Sequence, residues 1–211
     1  MSSDQDPQGR PGAQGTPSGQ DGPGHPCIII LAAPSGSGKT TIASRLLQAL
    51  PTISFSVSAT TRPARSHEID GVHYHFMSLE EFEVHRGIGD LLESEEVYPG
   101  CWYGTLNSEV EKSTAHAPVL LDIDVVGALA VKAKYGPRCL AIFVSPPSLE
   151  TLRIRLEARG TESNASLLER MAKAKHELSY SGAFDRVIVN DDLEAAVESA
   201  IQIVSEFMSG S

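Results

Sequence analysis

The run Ala33-Pro34-Ser35-Gly36-Ser37-Gly38-Lys39-Thr40 follows an apolar stretch, Cys27 to Ala32, and leads through Thr41 into a helical pattern. Strand, glycine-rich turn, Gly-Lys-Thr and helix in that order form a phosphate-binding P-loop. Successive backbone N–H groups turn toward the anion, Gly36 and Gly38 let the main chain come close, and a helix N-terminus stands behind it. Lys39 then reaches the β/γ-phosphates and Thr40 offers a hydroxyl to Mg2+. A glycine/serine turn without a ligand is the bland alternative, but such turns rarely end in Gly-Lys-Thr after an Ile-rich strand. Ala33 stands where the pattern usually has glycine, so its backbone must avoid a positive φ or hold one at a cost.

Farther along, Arg62 and Arg65 lie three apart between a strand pattern and Glu68. Two guanidinium forks can clamp one phosphate bidentately, as lysine cannot. A solvated basic loop fits the same residues equally well. Tyr74 and Tyr103 could add neutral donors to that anion or simply pack. Asp122 and Asp124 follow the apolar run Val119-Leu120-Leu121 and, two apart in a strand, share a face. Sites in parallel sheets open at that edge; an aspartate in a strand-end turn is the alternative. Arg155 and Arg159, four apart in a helical pattern, also share a face, meeting either an anion or nearby acids such as Glu157 and Glu162.

Holding these groups in place requires an α/β framework, and the hydrophobic pattern supplies one. Strands are predicted over 27–31, 55–59, 119–123, 140–144 and 187–189. Helices are predicted over 40–50, 148–159, 166–178 and 193–207, with Ser148 and Ser166 as N-caps. The runs at 28–31 and 119–121 are apolar on both faces, as in parallel strands covered by helices on each side. Between 60 and 104 the rhythm changes. A short alternating β segment at 71–76 precedes Ser78 and Glu81, which carry a capping-box spacing, and the stretch reads as an inserted lobe.

Composition narrows the function. The 211 residues suit one domain with lobes, and the formal net charge of -10 excludes a broad basic surface for gripping nucleic acid or anionic membrane. Phosphate chemistry must therefore use focused cations. Apolar runs fall far short of the ~20 residues that span a bilayer. The three cysteines, Cys27, Cys101 and Cys139, show no metal or redox spacing and suit reduced thiols in the cytoplasm. Residues 1–26, rich in Gly, Pro, Gln, Ser and Asp, have too few apolar side chains to offset chain ordering and read as a disordered tail, not a secretory signal.

Taken in order, the P-loop, Ser-Val-Ser-Ala-Thr-Thr-Arg-Pro at 56–63, Asp-Gly-Val-His-Tyr-His-Phe at 70–76, Tyr-Gly-Thr at 103–105, Leu-Asp-Ile-Asp at 121–124, Arg-Leu-Glu-Ala-Arg-Gly-Thr-Glu at 155–162 and Val-Asn-Asp-Asp-Leu at 189–193 resemble the guanylate kinases. The resemblance covers about 27–207. It implies Mg2+-assisted transfer of the γ-phosphoryl group of ATP to GMP or dGMP, by a parallel-sheet core (27–59, 107–149, 176–207), a GMP-binding lobe (60–106) and a lid (about 150–175). Carried over by position, the GMP phosphate falls to Arg62, Arg65, Tyr74 and Tyr103, with Glu68 nearby. Guanine falls to Ser58, Glu93, Thr105 and Asp124. The carboxylates suit guanine's N1–H and N2–H2 donors, a Ser or Thr hydroxyl suits O6, and adenine's unprotonated N1 would meet a carboxylate as an unpaired acceptor. Asp122 matches the acid near metal and phosphate, directly or through water. Arg155, Arg159 and Arg170 match the lid arginines, and Asn190 an adenine-side contact. His67, in place of a usual glycine, and a 94–102 connection one residue longer than common depart from the family pattern.

The expected protein is thus a cytoplasmic guanylate kinase, a monomer or small homo-oligomer binding neither nucleic acid nor membrane. A catalytically silent interaction domain is the rival from another class, opposed by Lys39, Thr40 and Asp122. A kinase for another base is the third, opposed by Glu93 together with Asp124. Because every candidate ligand begins at or after Ala33, removal of residues 1–24 should change GMP kcat/KM by less than about twofold and the thermal midpoint by less than about 2 °C, within the usual tolerance at chain ends. Steady-state kinetics and calorimetry of the two forms check this.

Overall fold

Every residue of β1 (Ile28–Ala32) is buried. Its alternate side chains enter two separate cores, because the strand lies mid-sheet with helices on both faces. The computed structural model describes residues 27–114, 116–158 and 164–210; the tail expected over 1–26 and Arg159 lie outside them. Strand β1 runs parallel to β7 (Val119–Asp122) on one side and to β8 (Cys139–Ser145) on the other. The outer strands β2 (Ser54–Phe55) and β9 (Arg186–Val189) complete a parallel sheet in the order β2-β7-β1-β8-β9.

Ile29 and Leu31 pack on one face with Ile42 and Leu46 of α1 (Lys39–Ala49) and Val197 and Val204 of α7 (Leu193–Ser209). Ile28 and Ile30 pack on the other with Val125 and Val131 of α4 (Val125–Tyr135). Ala33, the departure in the P-loop, is a core residue of the first cluster, 7% exposed. Positive φ in the loop falls instead on Gly36 (92°) and Gly38 (90°).

The strand expected over 55–59 is two strands in two sheets. After β2 the chain crosses to β3 (Ala59–Thr60), because its polar groups find partners outside the parallel sheet: the Val57 N–H donates to Glu109 Oε2 and the Ser58 carbonyl accepts from the His75 N–H. The second sheet has the order β4-β3-β6-β5, with β4 (His75–Phe76), β5 (Leu91–Tyr98) and β6 (Cys101–Leu106). Only the end of the 71–76 segment is strand. The stretch before it turns at Gly71, whose N–H donates to the Tyr74 carbonyl at φ 72°. Helix α2 (Leu79–Gly87) begins with the expected capping box, Ser78 and Glu81.

The β5–β6 hairpin, followed by the short helix α3 (Asn107–Glu111), lies beyond the strands read from sequence. Glu93 pairs with Thr105 and Glu95 with Tyr103, so period-2 alternation puts all four on one face. The opposite face packs on Phe82 through Trp102 and Leu106. The longer 94–102 connection is taken up within the hairpin, whose register slips by one between Glu96 and Tyr98. Two helices follow β8: α5 (Leu149–Glu157), capped by Ser148, and α6 (Asn164–Leu178), which starts two residues before the expected Ser166 cap and runs unbroken through the 175/176 boundary.

Gly104 of β6 has no room for a side chain. A Cβ there would stand 2.9 Å from the Glu93 carbonyl oxygen and 3.2 Å from the Phe82 ring. Gly104→Ala should therefore part the hairpin and cost about 1–3 kcal/mol, as overpacking does, measurable as a lower denaturation midpoint in urea.

Candidate functional site

One cleft of about 850 Å³ runs from the P-loop to the second sheet, and it is lined by Lys39, Thr40, Tyr74, Glu93, Asp122 and Asp124 among others. Its P-loop wall is built by three constraints. The Ser37 N–H donates to the Pro34 carbonyl and closes the turn. Gly38 begins α1 in the left-handed region, with no side-chain cap and no acid in the first turn, so the helix's first N–H groups are left for an anion. Ser37 is fully buried, and its hydroxyl has no hydrogen-bond partner among the described residues. Pro34 and Ser35 line the entrance beside Gly36, and Thr41 follows Thr40 along the rim.

Asn190, expected beside adenine, braces this loop from behind. It is 4% exposed; its Nδ2 donates to the Ser37 carbonyl at 2.7 Å and its N–H to the Ser145 carbonyl at 2.8 Å. A Cβ on Gly38 would fall 2.3 Å from that Nδ2, a close approach only glycine permits. Arg155 donates through Nη2 to the Asn190 carbonyl at 3.0 Å, while its buried Nη1 has no hydrogen-bond partner among the described residues. The acids of α5 belong to a different arginine: Arg153 pairs with Glu150 and Glu157. Leu152 and Leu156 close over the loop, each with a side-chain carbon 3.0 Å from where a Gly36 Cβ would stand.

Opposite Lys39, β7 ends. Lys39 Nζ forms an ion pair with Asp122 and donates to the Ile123 carbonyl at 2.8 Å. Asp124 does not extend the strand as expected. Its side chain caps α4, with Oδ1 accepting from the Val126 N–H at 2.7 Å and the Gly127 N–H at 2.9 Å, so backbone turning rather than strand alternation aims it. Its Oδ2 converges with Glu93 Oε2: a Cβ on Gly127 would be 2.9 Å from the first and 2.7 Å from the second.

Glu93 accepts from Thr105 Oγ1 at 2.7 Å. Thr105 is fully buried and spends its hydroxyl proton on the carboxylate, so the expected donation to O6 does not arise from it; Ser58, which lines the cleft, is the hydroxyl available. Burial pushes the Glu93 carboxyl up to about 7, against the Thr105 hydrogen bond, and the negative charge of Asp124 adds to the rise.

The expected arginine clamp is unequal. Arg62 is held bidentately by Glu68 at 2.8 Å on each nitrogen, and its Nε donates to the Tyr103 hydroxyl at 3.2 Å. Its guanidinium lies 5.2 Å from the Tyr74 ring centre. The Arg62 hydrogen bonds hold Glu68 down at about 2. Arg65 is exposed, its guanidinium without a partner among the described residues. Glu68 thus positions Arg62. Arg170 lines the cleft from α6. Reading the sequence missed two residues on that helix, Lys173 and Glu177, which also line it; their spacing from Arg170 by three and seven residues was the available signal.

A P-loop at the carboxyl edge of a parallel sheet, facing across one cleft a second sheet whose Tyr103 holds Arg62, is the arrangement of a P-loop nucleotide phosphotransferase. The guanylate kinase profile matches residues 25–207. Over 182 residues the chain is 55% identical to the guanylate kinase of Salinibacter ruber, covering 86% of this chain and 97% of that one. It is 48% identical over 183 residues to that of Bacteroides thetaiotaomicron, covering 86% and 90%. The crystal structure of guanylate kinase from Anaplasma phagocytophilum superposes with a TM-score of 0.68 at 32% identity, over 86% of this chain and 85% of that one. The chain belongs to the guanylate kinase family. It is an enzyme of that activity, with ATP and GMP as its substrates.

The raised Glu93 makes a stability prediction with a defined sign. An unfolded Glu ionises near 4.5, whereas this one ionises at about 7; the group's contribution to folding is lost as pH rises between those values and stays lost above them. Without nucleotide, Glu93→Gln should raise the thermal midpoint at pH 8, by about 2–4 °C for each kcal/mol recovered, and leave it unchanged at pH 4.5. Calorimetry at the two pH values checks it.

Proposed function

We propose that ATP lies on the P-loop side of the cleft and GMP or dGMP on the inserted-lobe side, and that the γ-phosphoryl group passes directly and in line between them. The observation that carries this reading is the single cleft that holds Lys39 and Asp122 at one wall and Glu93, Asp124 and Tyr103 at another. The acceptor is a phosphate oxygen already anionic near neutral pH, so positioning and charge supply the catalysis and no general base is required.

The P-loop amides, the Ser37 hydroxyl and Lys39 hold the donor's β/γ-phosphates. Lys39 exchanges Asp122 for phosphate when ATP arrives, which frees that carboxylate. Thr40 and Asp122 are a hydroxyl and a carboxylate on one cleft, a hard oxygen set that fits Mg2+ completed by phosphate and water. Bound there, Mg2+ offsets charge on the phosphate oxygens. Arg62, steadied by Glu68 and Tyr103, takes the GMP phosphate with Arg65 and Tyr74. Glu93 and Asp124 accept from guanine N1–H and N2–H2, and Ser58 faces O6. Arg155, Arg159 and Arg170 stabilise the group in transit.

In this reading the core comprises 27–59, 107–149 and 176–207, the GMP-binding lobe 60–106 and the lid about 150–175. The free thiols Cys27, Cys101 and Cys139 support a reducing compartment, the cytoplasm. The acidic net charge supports nucleotides over nucleic acid or membrane as partners, and the assembly is a monomer or small homo-oligomer.

Two substitutions test the assignment. Lys39→Met should lower kcat by about 100-fold or more while the thermal midpoint stays near that of the parent. Glu93→Gln should lower the ratio of kcat/KM for GMP over AMP by about tenfold or more. A coupled assay of ADP release with GMP, dGMP, AMP, UMP and CMP reads both, and an unchanged GMP:AMP ratio would remove Glu93 from base recognition.

A further inference from the structure

Between β2 and β3 the residues Ser56, Val57 and Ser58 carry the chain from the parallel sheet to the second one. Each is fastened to a different element. The Ser56 N–H donates to the Leu120 carbonyl of β7 at 3.0 Å, and the Ser58 carbonyl accepts from the His75 N–H of β4 at 2.9 Å. Between them, the Val57 N–H donates to Glu109 Oε2 at 3.0 Å. Of the three bonds this is the one made to a side chain, so a substitution can remove it and leave the backbone bonds on either side in place.

Glu109 is itself fixed to the core. It lies on α3, where the chain leaves the second sheet, and its neighbour Val110 is fully buried in the cluster that holds Ile28 and Ile30. Ser113 Oγ accepts from the Cys27 N–H at 3.1 Å and donates to the Val110 carbonyl at 2.7 Å, which ties the end of α3 to the start of β1. The other carboxylate oxygen turns toward β4: Oε1 stands 3.5 Å from His75 Nε2, a buried ring nitrogen with no hydrogen-bond partner among the described residues. The chain passes between the two sheets at 56–58 and again after β6, and both passages meet at this carboxylate. Its side chain is 18% exposed and does not line the cleft. A charged acceptor so sheltered makes a stronger bond than water would offer Val57.

We propose that Glu109 is a positioning residue for GMP recognition: by pinning the β2–β3 crossing at Val57 it sets the direction of the next side chain, the Ser58 hydroxyl, which lines the cleft. The proposal rests on the assignment of Ser58 to guanine O6. Without the carboxylate, Val57 has no anchor between the two sheets, and its backbone torsions are free to turn Ser58 away from the base. A misplacement of about 1 Å is enough to forfeit most of what a positioned group contributes. Glu109 touches neither nucleotide in this arrangement and acts through Ser58. The P-loop wall is built from other contacts, so the donor site is left as it is.

Steady-state kinetics and thermal midpoints of Ser58→Ala, Glu109→Leu, Glu109→Gln and the double variant of Ser58→Ala with Glu109→Leu test the pin. Ser58→Ala should raise KM for GMP by about tenfold, the loss of one hydrogen bond. Glu109→Leu, which keeps the bulk and removes the acceptor, should raise it by about tenfold as well and leave KM for ATP within about twofold. The double variant should be no worse than Ser58→Ala alone, the mark of one residue acting through another. Glu109→Gln, whose amide oxygen still accepts from Val57, should stay within about threefold of the parent. Should the leucine variant fail to fold, Glu109→Asp answers in its place: it draws the carboxylate back by one methylene and should raise KM for GMP by more than about threefold. KM for GMP unchanged in Glu109→Asp and in folded Glu109→Leu, equal rises for GMP and ATP, additive losses in the double variant, or a glutamine variant as impaired as the leucine one would each overturn the pin. If Ser58→Ala raises KM for GMP while the Glu109 variants give such results, the pin alone is wrong; if Ser58→Ala leaves KM for GMP unchanged, the assignment of Ser58 to the base fails and the pin with it.

Discussion

The ion pair of Lys39 and Asp122 is the point on which the arrangement of the site depends, and strand register creates it. Leu31 of β1 and Asp122 of β7 are partners in the parallel ladder, so the two strands end side by side. One continues into the P-loop and α1, the other into the turn before α4. A lysine at the first position of α1 is therefore brought to a carboxylate at the last position of β7, with the Ile123 carbonyl completing its contacts. A one-residue slip of β7 would turn Asp122 into the apolar layer and bring a leucine to the lysine. The buried residues of the two cores forbid that slip, which is how hydrophobic packing enforces the geometry of a polar site.

The second wall obeys a different rule. The protein carries a net charge of -10, yet it must gather two polyanions. Three of its cations are individually held: Lys39 by Asp122, Arg62 by Glu68, Arg155 by the Asn190 carbonyl. Each is oriented before any phosphate arrives, so less conformational entropy is lost on binding. Acids at the base corner act in the opposite sense. Burial and the nearby charge of Asp124 push the Glu93 carboxyl up, and in the proposed assignment a ligand edge made of N–H donors relieves that tension where an edge of acceptors would add to it.

How much of this was legible in the sequence depended on whether the information was local. The P-loop, the buried strands and the Ser78 capping box are written in adjacent residues, and the structure bears them out. The break between β2 and β3 is not, since the alternation through 55–59 suits either sheet and only Glu109 and His75, distant in the chain, divide it. Asp124 reads as part of the strand end because the apolar run obscures where β7 stops and α4 starts. Resemblance alone places Thr105 and Asn190 at the ligand. In the structure their polar groups meet Glu93 and Ser37, contacts across 12 and 153 positions that no window along the chain exposes.

Asp124 carries a consequence for how specificity can change over evolutionary or engineered time. One of its oxygens holds the first turn of α4 and the other converges with Glu93, so under the proposed assignment to guanine the residue belongs at once to the scaffold and to the recognition surface. Any exchange that retunes its hydrogen bonding to a base also unfastens a helix packed on the central sheet. Glu93 has no such double duty, being anchored through Thr105. Drift toward another purine is therefore channelled: the tolerant route runs through Glu93 and its threonine, while Asp124 stays locked by a folding requirement that persists whatever base the enzyme accepts.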